Sequence, residues 1–185
     1  MTVWIVVGVV VVLGLLLVLT YNGLVRARNR VDNAYSQVEV QQKRRYDLVP
    51  NLVETVKGYA AHERQTFEAV TAARAGAIDA QAQGSVADQA RAENVLTGAL
   101  KSLFAVAEAY PDLKANQNFL NLQEELTATE DRIAYARQFF NDSVLSYNNA
   151  IQTFPRNVLA GVFRFGPREF FDAEPEAGQA PRVAF

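Results

Sequence analysis

The sequence predicts an all-α protein in which an N-terminal transmembrane helix continues into an antiparallel bundle of long helices. Three observations lead to this prediction. The chain begins with an uncharged apolar run. From Val31 onward, apolar residues recur at alternating steps of four and three, which places them on one face of a helix. A second seam with this spacing covers Gln117 to Thr153, and the turns between the long segments are short, as in up-down bundles.

Composition narrows the class of protein. A chain of 185 residues suffices for one domain with its own core plus an anchor. Its net charge of -2 argues against a nucleic-acid binder, which is normally basic. The chain has no cysteine, so it has neither disulfides nor thiolate metal ligands. Its single histidine, His62, excludes most metal sites and acid–base sites.

Residues 1–21 form the predicted anchor. The run from Val3 to Leu19 holds no polar residue, and its roughly 17 residues would rise about 25 Å as a helix, close to the thickness of a bilayer core. Trp4 and Tyr21 would lie at the two interfaces, where aromatic rings are favoured. A cleaved signal peptide is the alternative. No Lys or Arg precedes the run, and Thr20 and Tyr21 make a poor cleavage site, so we expect an uncleaved anchor.

Three arginines, Arg26, Arg28 and Arg30, follow the apolar run at once. Cations near the end of a span tend to stay on the cytoplasmic side, which predicts an N-terminus outside and a cytoplasmic bundle. Cations beside a membrane also favour anionic lipid, so these three are predicted to contact headgroups. The simpler interpretation is that they are the solvated start of a helix.

The bundle is predicted over residues 22–154, beginning with a helix over 22–76. Gly23 is the only weak position between anchor and bundle, so we expect the helix to be continuous from lipid into the body. Pro50 removes a hydrogen bond and is predicted to kink the helix. Gly76 and Gly84 mark its end. The predicted seam comprises Val31, Tyr35, Val38, Gln42, Arg45, Val49, Leu52, Val56, Tyr59, Glu63, Thr66 and Val70.

Two further helices are predicted over residues 86–109 and 117–153. Ser85 is a helix cap, and Asp88 in the first turn favours the positive end of the helix dipole. Pro111 ends the second helix. The bundle then has three helices, or four if Pro50 divides the first. The seam of the third comprises Phe119, Leu122, Leu126, Thr129, Ile133, Ala136, Phe140, Ser143, Tyr147, Ala150 and Phe154.

Gln42 and Arg45 are polar residues on the first seam, and two interpretations stay open. In one, the kinked helix turns them towards solvent, because charged residues are rarely fully buried. In the other, they form a polar layer that fixes the register of the helices or pairs with another protomer.

The C-terminal tail, residues 155–185, differs in composition from the bundle. It contains four of the six prolines and a dense group of phenylalanines. Such aromatic density is not typical of disorder, so we expect the tail to pack on the bundle or on a neighbour, while Ala173 to Phe185 is expected to be extended. The predicted oligomer or partner contacts are Gln42, Arg45, Phe154, Phe163, Phe165, Phe170 and Phe171, with the C-terminal Phe185 as a further partner contact.

Several motifs resemble those of the LemA family across nearly the whole chain. The family implies a single-pass protein of the bacterial membrane with a long-helix bundle, without established enzymatic activity, and with members tied to membrane organisation, one of them needed for magnetosome membranes. Two departures from its pattern stand out: Gln42 replaces an aliphatic residue, and Phe139-Phe140 lie where tyrosine is common. The matching runs are Tyr21 to Val25, Gln41 to Val53 with its continuation to Glu63, Leu122 to Leu126, Arg137 to Asn141, Tyr147-Asn148 and Thr153 to Pro155.

No reaction is indicated by the pattern of residues. The densest carboxylates lie at Glu124, Glu125, Glu130 and Asp131. A di-metal bundle needs Glu-x-x-His pairs on facing helices, and the chain has none. We therefore interpret these carboxylates as a solvated helix face with partners such as Arg132 and Arg137. We expect no enzyme activity, no cofactor and no metal.

Two functional hypotheses follow. In the first, anchored protomers assemble side by side on the bacterial inner membrane into a homo-oligomer that organises or remodels the lipid. Gly8 and Gly14 are too far apart for a GxxxG contact, so the body or the tail must carry the assembly. In the second, a monomeric bundle is a membrane-tethered adaptor for a membrane protease or another envelope protein.

Overall fold

The computed structural model describes residues 1–171, and all regular structure in this range is helical. The all-α prediction is confirmed. In chain order the elements are α1 (Thr2–Lys57), α2 (Arg64–Gln83), α3 (Val86–Glu108), α4 (Pro111–Lys114), α5 (Gln117–Gln152) and α6 (Arg156–Val162).

Helix α1 is a single helix of 56 residues that joins the apolar run to the bundle. The predicted continuity through Gly23 is confirmed. Pro50 lies inside α1 and does not divide it. A proline at this position leaves the carbonyl of Tyr46 without its usual helical donor. The guanidinium Nε of Arg74 in α2 donates to that carbonyl at 2.7 Å, so a neighbouring helix supplies the missing bond.

The prediction of one helix to residue 76 is wrong. Helix α1 ends at Lys57, residues 58–63 form a turn, and α2 starts at Arg64. Because α2 folds back, Phe67 and Val70 become buried and Ala60 packs inside the turn. An uninterrupted helix would leave these apolar groups in water, so tertiary burial selects the turn. Gly76 lies inside α2, which ends at Gln83 with Gly84 as its C-cap.

The other two long helices lie where the sequence predicts them. Helix α3 starts with a capping box, in which the Ser85 hydroxyl accepts from the Asp88 N–H and the Asp88 carboxylate accepts from the Ser85 N–H. Helix α5 is capped by Asn116, whose side-chain oxygen accepts from the N–H of Phe119 at 3.1 Å. These caps satisfy donors that every helix start leaves free.

Helices α1 and α5 form the axis of the molecule, and two different structures pack onto them. Far from the apolar run, the α2–α3 hairpin completes a four-helix arrangement around Leu52, Leu96, Leu103 and Leu126. Nearer the apolar run, the first part of the tail covers a second core with α6 and with Phe165 and Phe171, which follow it. The body therefore consists of two stacked cores on one helix pair. The second core contains Leu24, Val31, Ala34, Val38, Phe140, Val144, Tyr147, Ala160 and Phe171.

Candidate functional site: a buried ionic layer and a juxtamembrane surface

A buried ionic layer crosses the bundle at Arg45. Its guanidinium forms salt bridges with Glu93 of α3 and Glu130 of α5. Arg137 of α5 lies 3.7 Å from Glu93, and the hydroxyl of Tyr46 donates to the same carboxylate. Arg45 and Glu93 are each only 1% exposed. Three helices are thus joined through one carboxylate.

The buried charges of this layer favour one fixed pairing of its arginines with its glutamates. It holds two arginines and two glutamates, so its formal charges balance. Burial raises the pKa of Tyr46 to about 12, although nearby Arg45 and Arg137 act in the opposite direction. Removing one partner from such a buried pair leaves an uncompensated charge, which costs far more than the net stability the pair supplies. The layer is therefore well suited to specify which helix faces meet.

Two further polar pairs continue along α1. Gln81 of α2 donates to the side-chain oxygen of Gln42 at 3.1 Å. The hydroxyl of Tyr35 donates to Gln89 of α3 at 2.8 Å, and burial raises the pKa of Tyr35. Gln42 and Arg45 are both buried, so the interpretation that turns them to solvent is wrong. Gln42 contacts Gln81, and Arg45 contacts Glu93 and Glu130, all within this chain.

A juxtamembrane surface forms where the apolar run meets the body. The ring of Tyr21 lies 4.9 Å from that of Phe163 and 5.9 Å from that of Phe165. Arg28 stacks over Phe165 at 5.5 Å and Arg30 over Phe139 at 5.6 Å. Arg28 and Arg30 are exposed at the surface of the body and rest on its aromatic rings. Arg26 is also exposed and lies nearest the apolar run, about 8 Å beyond Tyr21 along the helix.

The start of the tail packs against its own bundle. Asn141 and Phe171 exchange two hydrogen bonds of 3.0 and 2.9 Å through the Asn141 amide and the Phe171 backbone. Asn148 makes the same exchange with the Arg168 backbone at 2.9 Å in each direction. Two α5 amides thus hold an extended segment as a strand partner would.

The predicted aromatic contacts divide into two groups. Phe171 is buried against Tyr35 and Phe140, and Phe165 is half-buried. Phe154, Phe163 and Phe170 keep large exposed surfaces. Phe185 and the segment Ala173 to Phe185 lie outside the described residues.

An open groove of about 500 Å³ lies between α1 and α5 on the lateral surface of the body. Val40 and Tyr135 line it, and Tyr135 is 73% exposed. Asp131 and Arg132 lie along the same groove. It is a shallow surface with one large aromatic side chain, which is typical of contact with a macromolecule rather than of a small-molecule pocket.

Sequence reasoning missed Glu93, Tyr46 and Arg74 as partners in the bundle. A signal for Glu93 exists, since it lies between Ala90 and Leu96 at steps of three and interrupts the apolar face of α3 with a charge. A charge in a seam predicts an opposite charge on a facing seam, which Arg45 provides. Arg74 has no such signal, because its acceptor is a backbone carbonyl.

The predicted carboxylate face is only partly solvated. Glu125 pairs with Arg44 at 2.7 Å on the surface, whereas Glu130 reaches inward to Arg45. Arg137 turns to Glu93 in the ionic layer. In residues 1–171, no group of three His, Asp or Glu side chains is arranged to hold a metal ion. His62 is exposed in the turn between α1 and α2.

These features define a class of protein: a membrane-associated helical bundle on a single long helix, whose first part is long and apolar enough to cross a bilayer. The sequence model of the LemA family matches residues 34–185, and the chain belongs to this family. It is 30% identical to magnetosome protein MamQ of Magnetospirillum gryphiswaldense, over 90% of this chain and 70% of that one. It is also 30% identical to protein LemA of Metamycoplasma hominis, over 75% of this chain and 63% of that one.

Proposed function

We propose that this protein is a non-enzymatic scaffold that is anchored in the bacterial inner membrane and self-assembles to organise or remodel that membrane. The observation that carries the proposal is helix α1, which passes from the apolar run to Lys57 without a break while the bundle packs along it. A body fixed to its anchor transmits its own orientation to the membrane. A flexibly tethered body would not.

The ionic layer supports a structural role. Its central pair, Arg45 and Glu93, is enclosed, and its four charged groups are paired with one another, which suits the fixing of helix register. The names of the relatives point in the same direction, because proteins called magnetosome proteins align over 90% of this chain. The family membership thereby supports a role in membrane structure.

The α1–α5 groove is the surface on which a second copy is proposed to dock. It runs alongside α1, so copies that meet there stand side by side with parallel anchors. Tyr135 is a large aromatic side chain at its edge, the residue type that is enriched at protein interfaces. A contact repeated from copy to copy closes into a ring when the rotation between copies allows it.

The test is the mass of the full-length protein, extracted gently from membranes and measured by mass photometry with electron micrographs of the same sample. Uniform particles of many copies are expected. Tyr135→Asp should reduce them to small species, because it places a charge in the contact. Val95→Asp is the matched control, since Val95 is 63% exposed, against 73% for Tyr135, and lies on α3 away from the groove. A wild-type species of one chain would reject the scaffold.

The alternative function is a monomeric adaptor for a membrane protease or envelope protein. The exposed ring of Phe170, beside the tail segment held by Asn141 and Asn148, favours it. It predicts a single small species in mild detergent and one crosslinked partner protein. That partner should be lost in Phe170→Ser and retained in Tyr135→Asp.

The proposed topology has the N-terminus outside and the bundle in the cytoplasm. Arg26, Arg28 and Arg30 beside the span support it. Because the chain has no cysteine, single cysteines at Thr2 and Val95 allow a direct test. In intact spheroplasts, a membrane-impermeant maleimide should label position 2 and leave position 95 unlabelled. The reverse pattern would overturn the orientation.

A further inference from the structure

Helix α6 has an apolar face that the body leaves uncovered. Leu159 and Ala160 face the second core, and Ala160 is buried there. Phe154, Val158 and Val162 are all exposed, with Phe154 at 77% and Val162 at 70%. Val158 and Val162 are four residues apart and so lie on one side of α6, and Phe154 precedes that helix. The helix is thus apolar on both sides, although within residues 1–171 only one side has protein against it.

The position of this face along the molecule indicates what covers it. Phe163 follows α6 directly and contacts the ring of Tyr21 at 4.9 Å. Tyr21 lies at the end of the apolar run of α1, where the sequence predicts the interface of the bilayer. The exposed face is therefore continuous with the proposed membrane-spanning segment.

The charges around this face have one sign. Residues 153–166 contain Arg156 and Arg164 and no carboxylate, and residues 20–31 contain three arginines and no carboxylate. An apolar face with flanking cations is typical of helices that lie at the boundary between headgroups and acyl chains. The cations favour anionic headgroups.

Arg164 adds an independent observation. It has a φ of 55°, in the left-handed region that favours glycine. The N–H of Phe165 bonds to the carbonyl of Ala160, and that of Arg164 bonds to the carbonyl of Gly161, which is the Schellman arrangement. Arginine thus occupies the position that glycine would fill with less strain, and its side chain is exposed beside Phe163.

We propose that α6 and Phe163 form a second membrane contact, in which Phe154, Val158, Val162 and Phe163 enter the interfacial layer and Arg156 and Arg164 bind anionic lipid headgroups. The inference rests on the proposed crossing of the membrane by residues 3–21. The body would then be held by the anchor and also by this surface. A single helix that crosses the bilayer is free to tilt, whereas two contacts fix the tilt of the body.

The test uses the absence of native cysteine. Full-length protein with a single Val162→Cys is labelled with an environment-sensitive fluorophore and reconstituted in vesicles of phosphatidylcholine with a third phosphatidylglycerol. Nitroxide-bearing lipids should quench this label at least about three-fold more strongly than a label at Val95→Cys on α3. A label at Leu13→Cys, inside the apolar run, reports whether the anchor is in the bilayer.

The outcomes separate the two proposals. Quenching at position 13 without quenching at position 162 overturns the second membrane contact and leaves the anchor intact. An unquenched, blue-shifted label at position 162 also overturns it, because protein then covers the face. The absence of quenching at position 13 rejects the anchor, and with it the proposed function and this inference.

Arg164→Gly tests the charge without damage to the fold, because glycine is favoured at this backbone conformation. In the Val162→Cys background it should lower the ratio of quenched to unquenched label in anionic vesicles by about five-fold and change little in pure phosphatidylcholine. A thermal midpoint at or above that of the parent confirms folding. Equal quenching with and without Arg164 in anionic vesicles would remove the headgroup part of the proposal.

Discussion

The Nε of Arg74 donates a hydrogen bond of 2.7 Å to the backbone carbonyl of Tyr46, which is the acceptor that Pro50 leaves without its helical donor. A side chain of α2 thus replaces the backbone hydrogen bond that α1 lacks. Since the turn at residues 58–63 brings α2 back along α1, this replacement depends on the turn that sequence reasoning missed. The relationship explains how α1 passes through a proline without dividing.

Removal of this donor should destabilise the protein. Arg74→Ala leaves a half-buried carbonyl without a partner, and a loss of about 1–3 kcal/mol in the free energy of unfolding is expected. In the background Pro50→Ala, residue 50 regains an N–H, and the loss caused by Arg74→Ala should fall by half or more. Denaturation in detergent micelles, followed by circular dichroism, measures both. Arg64→Ala, on the exposed side of α2, is the control and should change little.

Removal of Glu93 should be among the most damaging single changes. Glu93→Ala leaves Arg45 buried without its main partner, and a loss of about 3–5 kcal/mol is expected. The double variant Arg45→Met with Glu93→Leu removes both charges and should recover most of that loss, as measured by the same unfolding transition. Glu125→Ala breaks an exposed pair and should cost no more than about 1 kcal/mol. Equal losses for Glu93→Ala and Glu125→Ala would contradict the ionic layer.

Tyr46 should make stability depend on pH in the alkaline range. Its pKa is raised from 10.0 to about 12 in the folded protein, so the folded state retains a proton that the unfolded state releases. The resulting contribution is fully present below pH 10 and is lost as the pH rises towards 12. The stability difference between wild type and Tyr46→Phe should therefore shrink between pH 10 and pH 12. A constant difference across this window would show that Tyr46 does not titrate in this way.

Two glycines should respond in opposite directions to alanine. Gly76 is exposed inside α2, and an added Cβ would meet nothing within 4 Å, so Gly76→Ala should stabilise the protein by about 0.5–1 kcal/mol. At Gly84 a Cβ would lie 2.6 Å from the carbonyl oxygen of Ala80, so Gly84→Ala should destabilise it. Thermal midpoints of the two variants check the pair. A lower midpoint for Gly76→Ala would place a helix end at residue 76, where the sequence alone predicts the end of the first helix.

The tail segment should open when its two amide partners are removed. Asn141→Ala with Asn148→Ala deletes four hydrogen bonds to the backbone of residues 168 and 171. Trypsin cleavage after Arg168 should then accelerate by at least about ten-fold, because proteolysis follows the population of the open form. Asn121→Ala, on the exposed surface of α5 and far from the tail, should leave the rate unchanged.

The sequence predicts α3 and α5 correctly because the signals for these helices lie within the helices themselves or next to them. Helix α3 starts after Ser85 because the hydroxyl and the Asp88 carboxylate form a box within four residues. Helix α5 keeps one apolar seam from Phe119 to Ala150. The turn at 58–63 has only a weaker local signal, Gly58 directly after Lys57. The steps of four and three residues continue across this turn, so they do not reveal where α1 ends. The turn becomes favourable only when α2 buries Phe67 and Val70.

The sequence by itself determined an all-α protein with one apolar N-terminal span, long helices, their caps and an aromatic tail, because each of these depends on spacing and composition along one stretch of chain. Only the tertiary structure decided that Arg45 faces inward to Glu93, that Arg74 donates to the carbonyl of Tyr46, and that residues 168 and 171 of the tail lie on α5. These contacts join residues that are distant in the chain. Which of several polar groups becomes buried depends on the partner that folding brings to it, since a buried charge is tolerated only when that partner is present.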